Sequence, residues 1–240
     1  MSFILYYNIM VLCDVMKNWN SKIYSSFNEE CDVISDIILY NQILNYKLSL
    51  KQKSFNLKEG ALFYLSYRNI SLCKGIVLLL CNYHYTCAIS LMRNLYENML
   101  TTKYLCNNSF HDCDKWCQLA FSEKYDYELW KKFSPNTLRI WFDNYFFEKY
   151  GYADSKLKEL YHMLSKYTHA NFQSENTNYV YNEIQILDIL LFIITLEKFI
   201  LEDYISLFSI YFDSFDVSFT DNLSDDMEMV LSKYDLNYNQ

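Results

Sequence analysis

The chain has 240 residues, 52% of them apolar, with three glycines, one proline and a formal net charge of −8. So few turn-forming residues exclude an all-β protein, which needs a turn about every ten residues, and the length suits one domain with an appendage. The charge excludes strong non-specific binding to nucleic acid. It is also uneven: from Asp213 to Gln240 seven acidic residues stand against Lys233 alone, so residues 1–212 are near neutral.

The N-terminal stretch MSFILYYNIMVLCDVMK is apolar. No Lys or Arg precedes its apolar run and no small-residue cleavage site follows it, so it does not read as a secretory signal. Residues 1–27 are expected to pack on the body of the protein. The eight cysteines then read as reduced, mostly buried thiols of a cytoplasmic protein.

Ser26-Phe27-Asn28-Glu29 matches the Ser-x-x-Glu capping box and predicts a helix through about residue 50. Residues 51–57 are polar and loop-like. Helical patterns follow over 58–81 and 85–106, and Asn107-Asn108-Ser109 is a break. A segment over 111–133 stops before Ser134-Pro135-Asn136. A short aromatic helix over 137–150 ends at Gly151, a residue suited to the position after a helix. Asp154 or Ser155 is placed to cap a helix through Ala170. A polar loop over 173–178 leads to a last long helix over 179–212. The acidic stretch 213–240 reads as a solvated extension or as a regulatory flap. The expected fold is therefore all-α, an antiparallel helical bundle over 28–212. The two most apolar runs, 75–92 and 186–204, are interrupted by polar or charged residues, including Asn82, His84, Asp188 and Glu197, so neither is expected to span a membrane.

Two constellations carry chemistry. On a helical wheel Arg93 and Glu97 sit at the edge of a broad apolar arc, four residues apart and able to pair. They read either as an ordinary helix ion pair or as an arginine held at the lip of a cleft and aimed at an anion. Ser165 and His169 share the flank of the 154–170 helix. They read either as last-turn capping groups or as a general acid or base with a serine that orients it or touches substrate. His111, Cys113 and Cys117 have metal-like residue types, but no second compact Cys/His pair supplies a fourth ligand, so buried thiols account for them better. A Gly-rich phosphate loop, HExxH and GxSxG are all missing from the sequence. No metal and no cofactor are expected.

The stretches AISLMRNLYENMLTTKYL and YHMLSKYTHANF, with Arg-x3-Glu in the first and Ser-x3-His in the second, resemble an uncharacterised family of bacterial helical proteins grouped with the HEPN-like superfamily. The resemblance spans about residues 28–212 in order and pattern, and its specific part is these two motifs. It implies a HEPN-like bundle, a homodimer, and RNA or a protein partner such as an antitoxin. It also implies a role in anti-phage defence or as a toxin, either as a metal-independent endoribonuclease or as a non-catalytic interaction and dimerisation module. By motif position it assigns Arg93, Glu97, Ser165 and His169 to the site. HEPN ribonucleases place Arg and His on one helix. Here Tyr161, His162, Met163 and Leu164 precede the Ser-x3-His motif, so the arginine must be Arg93, met across the bundle or across a dimer.

Overall fold

A computed structural model describes residues 19–151, 164, 183–208 and 214–234. Every regular element among them is a helix, and no described helix is long and apolar enough to cross a membrane.

Helix α1 (Ser21–Ser26) is started by the Asn20 side chain, which accepts from the Lys22 amide at 3.0 Å. Helix α2 (Asn28–Ser49) follows after Phe27 alone. The capping box expected at Ser26 and Glu29 does not form. Ser26 is already the last residue of α1, so its backbone is helical rather than extended as a cap requires, and Phe27 takes the cap position without a side-chain bond. A capping box does form one helix later, ahead of α3 (Leu57–Cys81): Asn56 Oδ1 accepts from the Glu59 amide at 2.9 Å and Glu59 Oε2 accepts from the Asn56 amide at 2.8 Å.

Helices α3 and α4 (Tyr85–Asn107) form a hairpin through Asn82–His84. Tyr83 turns it with a left-handed φ of 61°, and its hydroxyl accepts from Asn20 Nδ2 at 2.8 Å. Gly75 brings the two helices close, since a Cβ there would stand 2.9 Å from Leu91 Cδ1. Gly60, in the first turn of α3, has open space where a Cβ would point and an ordinary backbone. Gly60→Ala is therefore expected to stabilise the protein by about 0.5–1 kcal/mol, by restricting the unfolded chain and favouring the helix; urea denaturation reads this as a raised midpoint at constant slope.

The segment expected as one helix over 111–133 is two: α5 (Phe110–Phe121), capped by Ser109, and α6 (Tyr127–Lys132), capped by Asp126. The break falls on the polar run Ser122–Asp126, where Ser122 is extended. Helix α7 (Pro135–Tyr150) has Ser134 as cap, Pro135 at its first position, and Gly151 at φ 78° closing it, as its sequence predicts.

Helix α8 (Glu183–Phe208) is the central post. From residue 189 to residue 197 every side chain is buried, because α8 packs against α2, α3, α4 and the last helix, α9 (Ser214–Ser232). Asn69 and Cys73 of α3 reach residue 197 of α8, while Leu62 meets Tyr204, so α3 and α8 are antiparallel. The hairpin makes α3 and α4 antiparallel as well, which leaves α4 and α8 parallel: Tyr96 lies by Phe192, and Lys103 by Asp203. The bundle is all-α as expected, and α8 has two parallel neighbours, α4 and α2: Asn45 meets Ser66 while Asn41 shares Glu197 with Asn69, so α2 is antiparallel to α3 as α8 is.

The acidic stretch expected as a solvated extension is, over α9, a packed amphipathic helix. Leu223, Met227, Val230 and Leu231 are buried against α2 and α8. The carboxylates lie between these positions, so a count of charge concealed the stripe. Lys198 of α8 binds Glu228 at 2.8 Å, Lys233 binds Glu29, and the Tyr234 hydroxyl donates to Glu30 Oε1 at 2.8 Å.

Candidate functional site

Arg93 and Glu97 project from the middle of α4, one turn apart. Arg93 Nε meets Glu97 Oε1 at 2.9 Å, and the two side chains keep 18% and 22% of their surface exposed. The pair lies at the boundary of the core, as its wheel position predicts. Immediately inward, Met92, Leu95, Tyr96 and Met99 are buried. The Nε contact uses the side of the guanidinium and fixes its orientation. Ser165 and His169 lie outside the described residues. Leu164, beside Ser165, is fully buried in the core.

Behind this boundary is a polar cluster that the motif reading does not contain. Glu197 of α8 is fully buried. Its Oε1 accepts from Asn69 Nδ2 at 2.5 Å and from the Cys73 thiol at 2.9 Å, both on α3. Its Oε2 accepts from Asn41 Nδ2 of α2 at 3.2 Å. Asn98, next to Glu97 on α4, donates to Asn69 Oδ1 at 3.3 Å and to the Leu65 carbonyl at 3.2 Å. Three helices thus meet on one carboxyl and α4 joins them through Asn69, and no cation pairs with the carboxyl among the described residues. Burial raises the Glu197 pKa against the lowering effect of its three donors. Burial and the same carboxyl push the Cys73 thiol well up and keep it neutral.

A second buried charge sits one turn and a half along α4 from Glu97. The Lys103 ammonium is 2% exposed, 3.2 Å from Asp203 and 3.6 Å from Glu202, and 5.5 Å from the centre of the Phe199 ring. Burial pushes the Asp203 carboxyl up to about 6 despite Lys103, and its Oδ2 has no hydrogen-bond partner.

These clusters can do different things. Glu197, Asn41, Asn69 and Cys73 are sealed from solvent, so they hold helices and do not meet a substrate. Arg93 is held in orientation and partly exposed, which is the state a group needs to meet an anion. His111, Cys113 and Cys117 do not come together as a ligand set. Cys113 is buried, with its thiol 3.8 Å from the Leu105 carbonyl, while His111 is exposed. Among the described residues no group of three or more His, Cys, Asp and Glu side chains is placed to hold a metal ion, and the seven described cysteines are free.

The sequence carried a signal for the polar cluster. Glu197 falls on the apolar stripe Leu190, Ile193, Ile194, Leu201, Tyr204, and a charged residue in such a stripe must be paired, hydrogen-bonded or neutral. Compared with known protein families, with curated proteins and with solved structures, the chain matches none of them.

Proposed function

We propose that this chain is a HEPN-like defence or toxin-type protein that acts on RNA as a metal-independent endoribonuclease, with Arg93, Glu97, Ser165 and His169 as its site. The observation that supports this reading is the Arg93–Glu97 pair, oriented at 2.9 Å and partly exposed at the edge of the bundle. In this mechanism His169 removes the proton of an RNA 2′-hydroxyl, and the oxygen attacks the adjacent phosphorus. Arg93 stabilises the charge that develops on the phosphoryl oxygens, and Glu97 fixes the guanidinium. The 5′-oxygen leaves and takes up a proton, giving a 2′,3′-cyclic phosphate end. Ser165 orients the imidazole or touches substrate. The attack is intramolecular, so positioning and charge stabilisation supply most of the rate without a metal.

The test is cleavage of a defined single-stranded RNA in EDTA, with the ends of the products identified. Arg93→Ala and His169→Ala are each expected to reduce cleavage at least about 100-fold with the helical circular dichroism unchanged. Arg93→Lys is not expected to restore it, because an ammonium lacks the planar fork. Full activity in either alanine variant removes the ribonuclease reading.

A second reading is a non-catalytic interaction or dimerisation module. It is favoured by the aromatic side chains exposed along α3, α5 and α6. Absence of cleavage and of growth inhibition on overexpression of the parent would select it.

A further inference from the structure

Helix α9 closes on a bundle that is bolted together without it. The Glu197 carboxyl ties α2, α3 and α8 through Asn41, Asn69 and Cys73, and Asn98 adds α4. None of these groups belongs to α9. What α9 contributes is an apolar stripe, Leu223, Met227, Val230 and Leu231, laid on α2 and α8. An element with its own interface, outside the hydrogen bonds that lock the rest, is suited to open as a separate unit.

The charges at that interface oppose its closure. From Ser214 to Ser232 the helix carries Asp216, Asp221, Asp225, Asp226 and Glu228 and no Lys or Arg. The part of α2 that it covers begins with Glu29, Glu30, Asp32 and Asp36. Lys233 meets Glu29 and Tyr234 meets Glu30 where α9 ends and α2 begins. Two helical turns back along α9 and two turns on along α2, the same register sets Asp226 by Asp36. Asp36 is partly buried, and burial, then Asp226, then Asp32 raise its pKa. Carboxylate therefore faces carboxylate in the middle of the contact. Against this stand two ion pairs, Lys233 with Glu29 and Lys198 of α8 with Glu228. Their carboxylates are 51% and 47% exposed, and ion pairs so exposed add little. Like charges across the α2–α9 contact outnumber the cations that bridge it, so the apolar stripe holds the helix down against a net repulsion.

We propose that α9 is a releasable strap, closed on α2 and α8 by its apolar stripe and opened by the like charges it shares with α2, so that screening by salt sets how often it opens. Release uncovers the apolar sides of α2 and α8 and leaves the Glu197 hydrogen bonds in place. This goes beyond the RNA reading and does not depend on it, since it uses none of the residues assigned to cleavage.

The test is amide hydrogen exchange of the full chain at neutral pH, in about 20 mM and about 500 mM sodium chloride, which bracket weak and strong screening. Amides of residues 223–231 are expected to be at least about tenfold less protected than those of residues 62–76 of α3 at the lower salt. Their protection is expected to rise at least about threefold at the higher salt, with that of α3 unchanged. Asp226 is exposed, so Asp226→Asn leaves the packing as it is. It is expected to raise the protection of α9 about fivefold at the lower salt and by less than about twofold at the higher, the size of one like-charge contact near a surface. A hydrophobic dye that binds the uncovered face is expected to bind less in the variant than in the parent at the lower salt. Three results would each overturn the proposal: α9 as protected as α3, protection of α9 that falls as salt is raised, or Asp226→Asn with the protection of the parent at both salts. None of them bears on the cleavage assay, which reads Arg93 and His169.

Discussion

Glu197→Ala is expected to cost the fold about 3–5 kcal/mol, a large part of the stability of an ordinary domain. The loss has two sources. The side-chain volume leaves a cavity in a core that relaxes only in part, and Asn41, Asn69 and Cys73 lose their acceptor where water does not reach. Glu197→Gln keeps the volume and one acceptor oxygen, so its cost is expected to be about 1 kcal/mol, the worth of one mismatched hydrogen bond. The two variants also differ in their response to pH. Burial raises the Glu197 pKa in the folded chain, so the native state holds this proton to higher pH than the unfolded chain does. Its contribution is complete on the acid side of the ordinary carboxylate range and is lost as pH rises through the folded pKa. Glu197→Gln removes this slope. Urea denaturation of parent and variant from acid to alkaline pH measures both effects. A parent whose stability rises with pH as that of the glutamine variant stays level would contradict the assignment.

The second large effect is at Lys103. Lys103→Met is expected to destabilise the protein by about 3–5 kcal/mol, because it leaves the Asp203 carboxylate buried without its cation. Adding Asp203→Leu to Lys103→Met is expected to recover most of the loss, since an apolar pair of similar volume is often as stable as a buried ion pair. Equal stability losses in the single and double variants would show that packing around Phe199, not charge, sets the cost. The pH behaviour is a separate test. The Asp203 carboxyl is pushed up to about 6, above its unfolded value of about 4. Its contribution is therefore full below pH of about 4 and lost by pH of about 6, a fall of about 3 kcal/mol across that window at about 1.4 kcal/mol per pH unit. Asp203→Asn is expected to flatten stability across the same window.

The polar residues of the Glu197 cluster were marked in the chain's periodicity. Asn41 lies on the stripe of Ile37, Ile38, Leu44 and Leu48; Asn69 on that of Leu62, Leu65, Cys73 and Ile76; Asn98 beside Leu95 and Met99. Each is a polar residue at a core position, which marks it for a partner. What periodicity does not carry is which partner. Asn41 and Glu197 are 156 positions apart and Asn69 and Glu197 are 128 apart, and only the crossing of α2, α3 and α8 brings them together. The Arg93–Glu97 pair differs because both residues sit on one helix, so the helical repeat alone sets their contact. The misplaced cap at Ser26 is a local error of another kind. The box motif was there, but the short helix before it had already taken Ser26.

The sequence by itself determined the helical class, the positions of α3, α4 and α7 to within a residue or two, the Gly151 terminus and the Arg93–Glu97 pair. Each of these depends on residues within about two helical turns of one another, where backbone geometry is the only unknown. Tertiary structure alone decided that Glu197 is sealed among two asparagines and a thiol, that Lys103 is buried against Asp203, and that the acidic α9 packs on α2 and α8. It also decided that Phe121 of α5 meets Tyr64 of α3 edge-on and borders a concavity between α5 and α6. Those facts depend on which helix faces which, and that is set by the burial of whole apolar faces against one another rather than by any single stretch of chain.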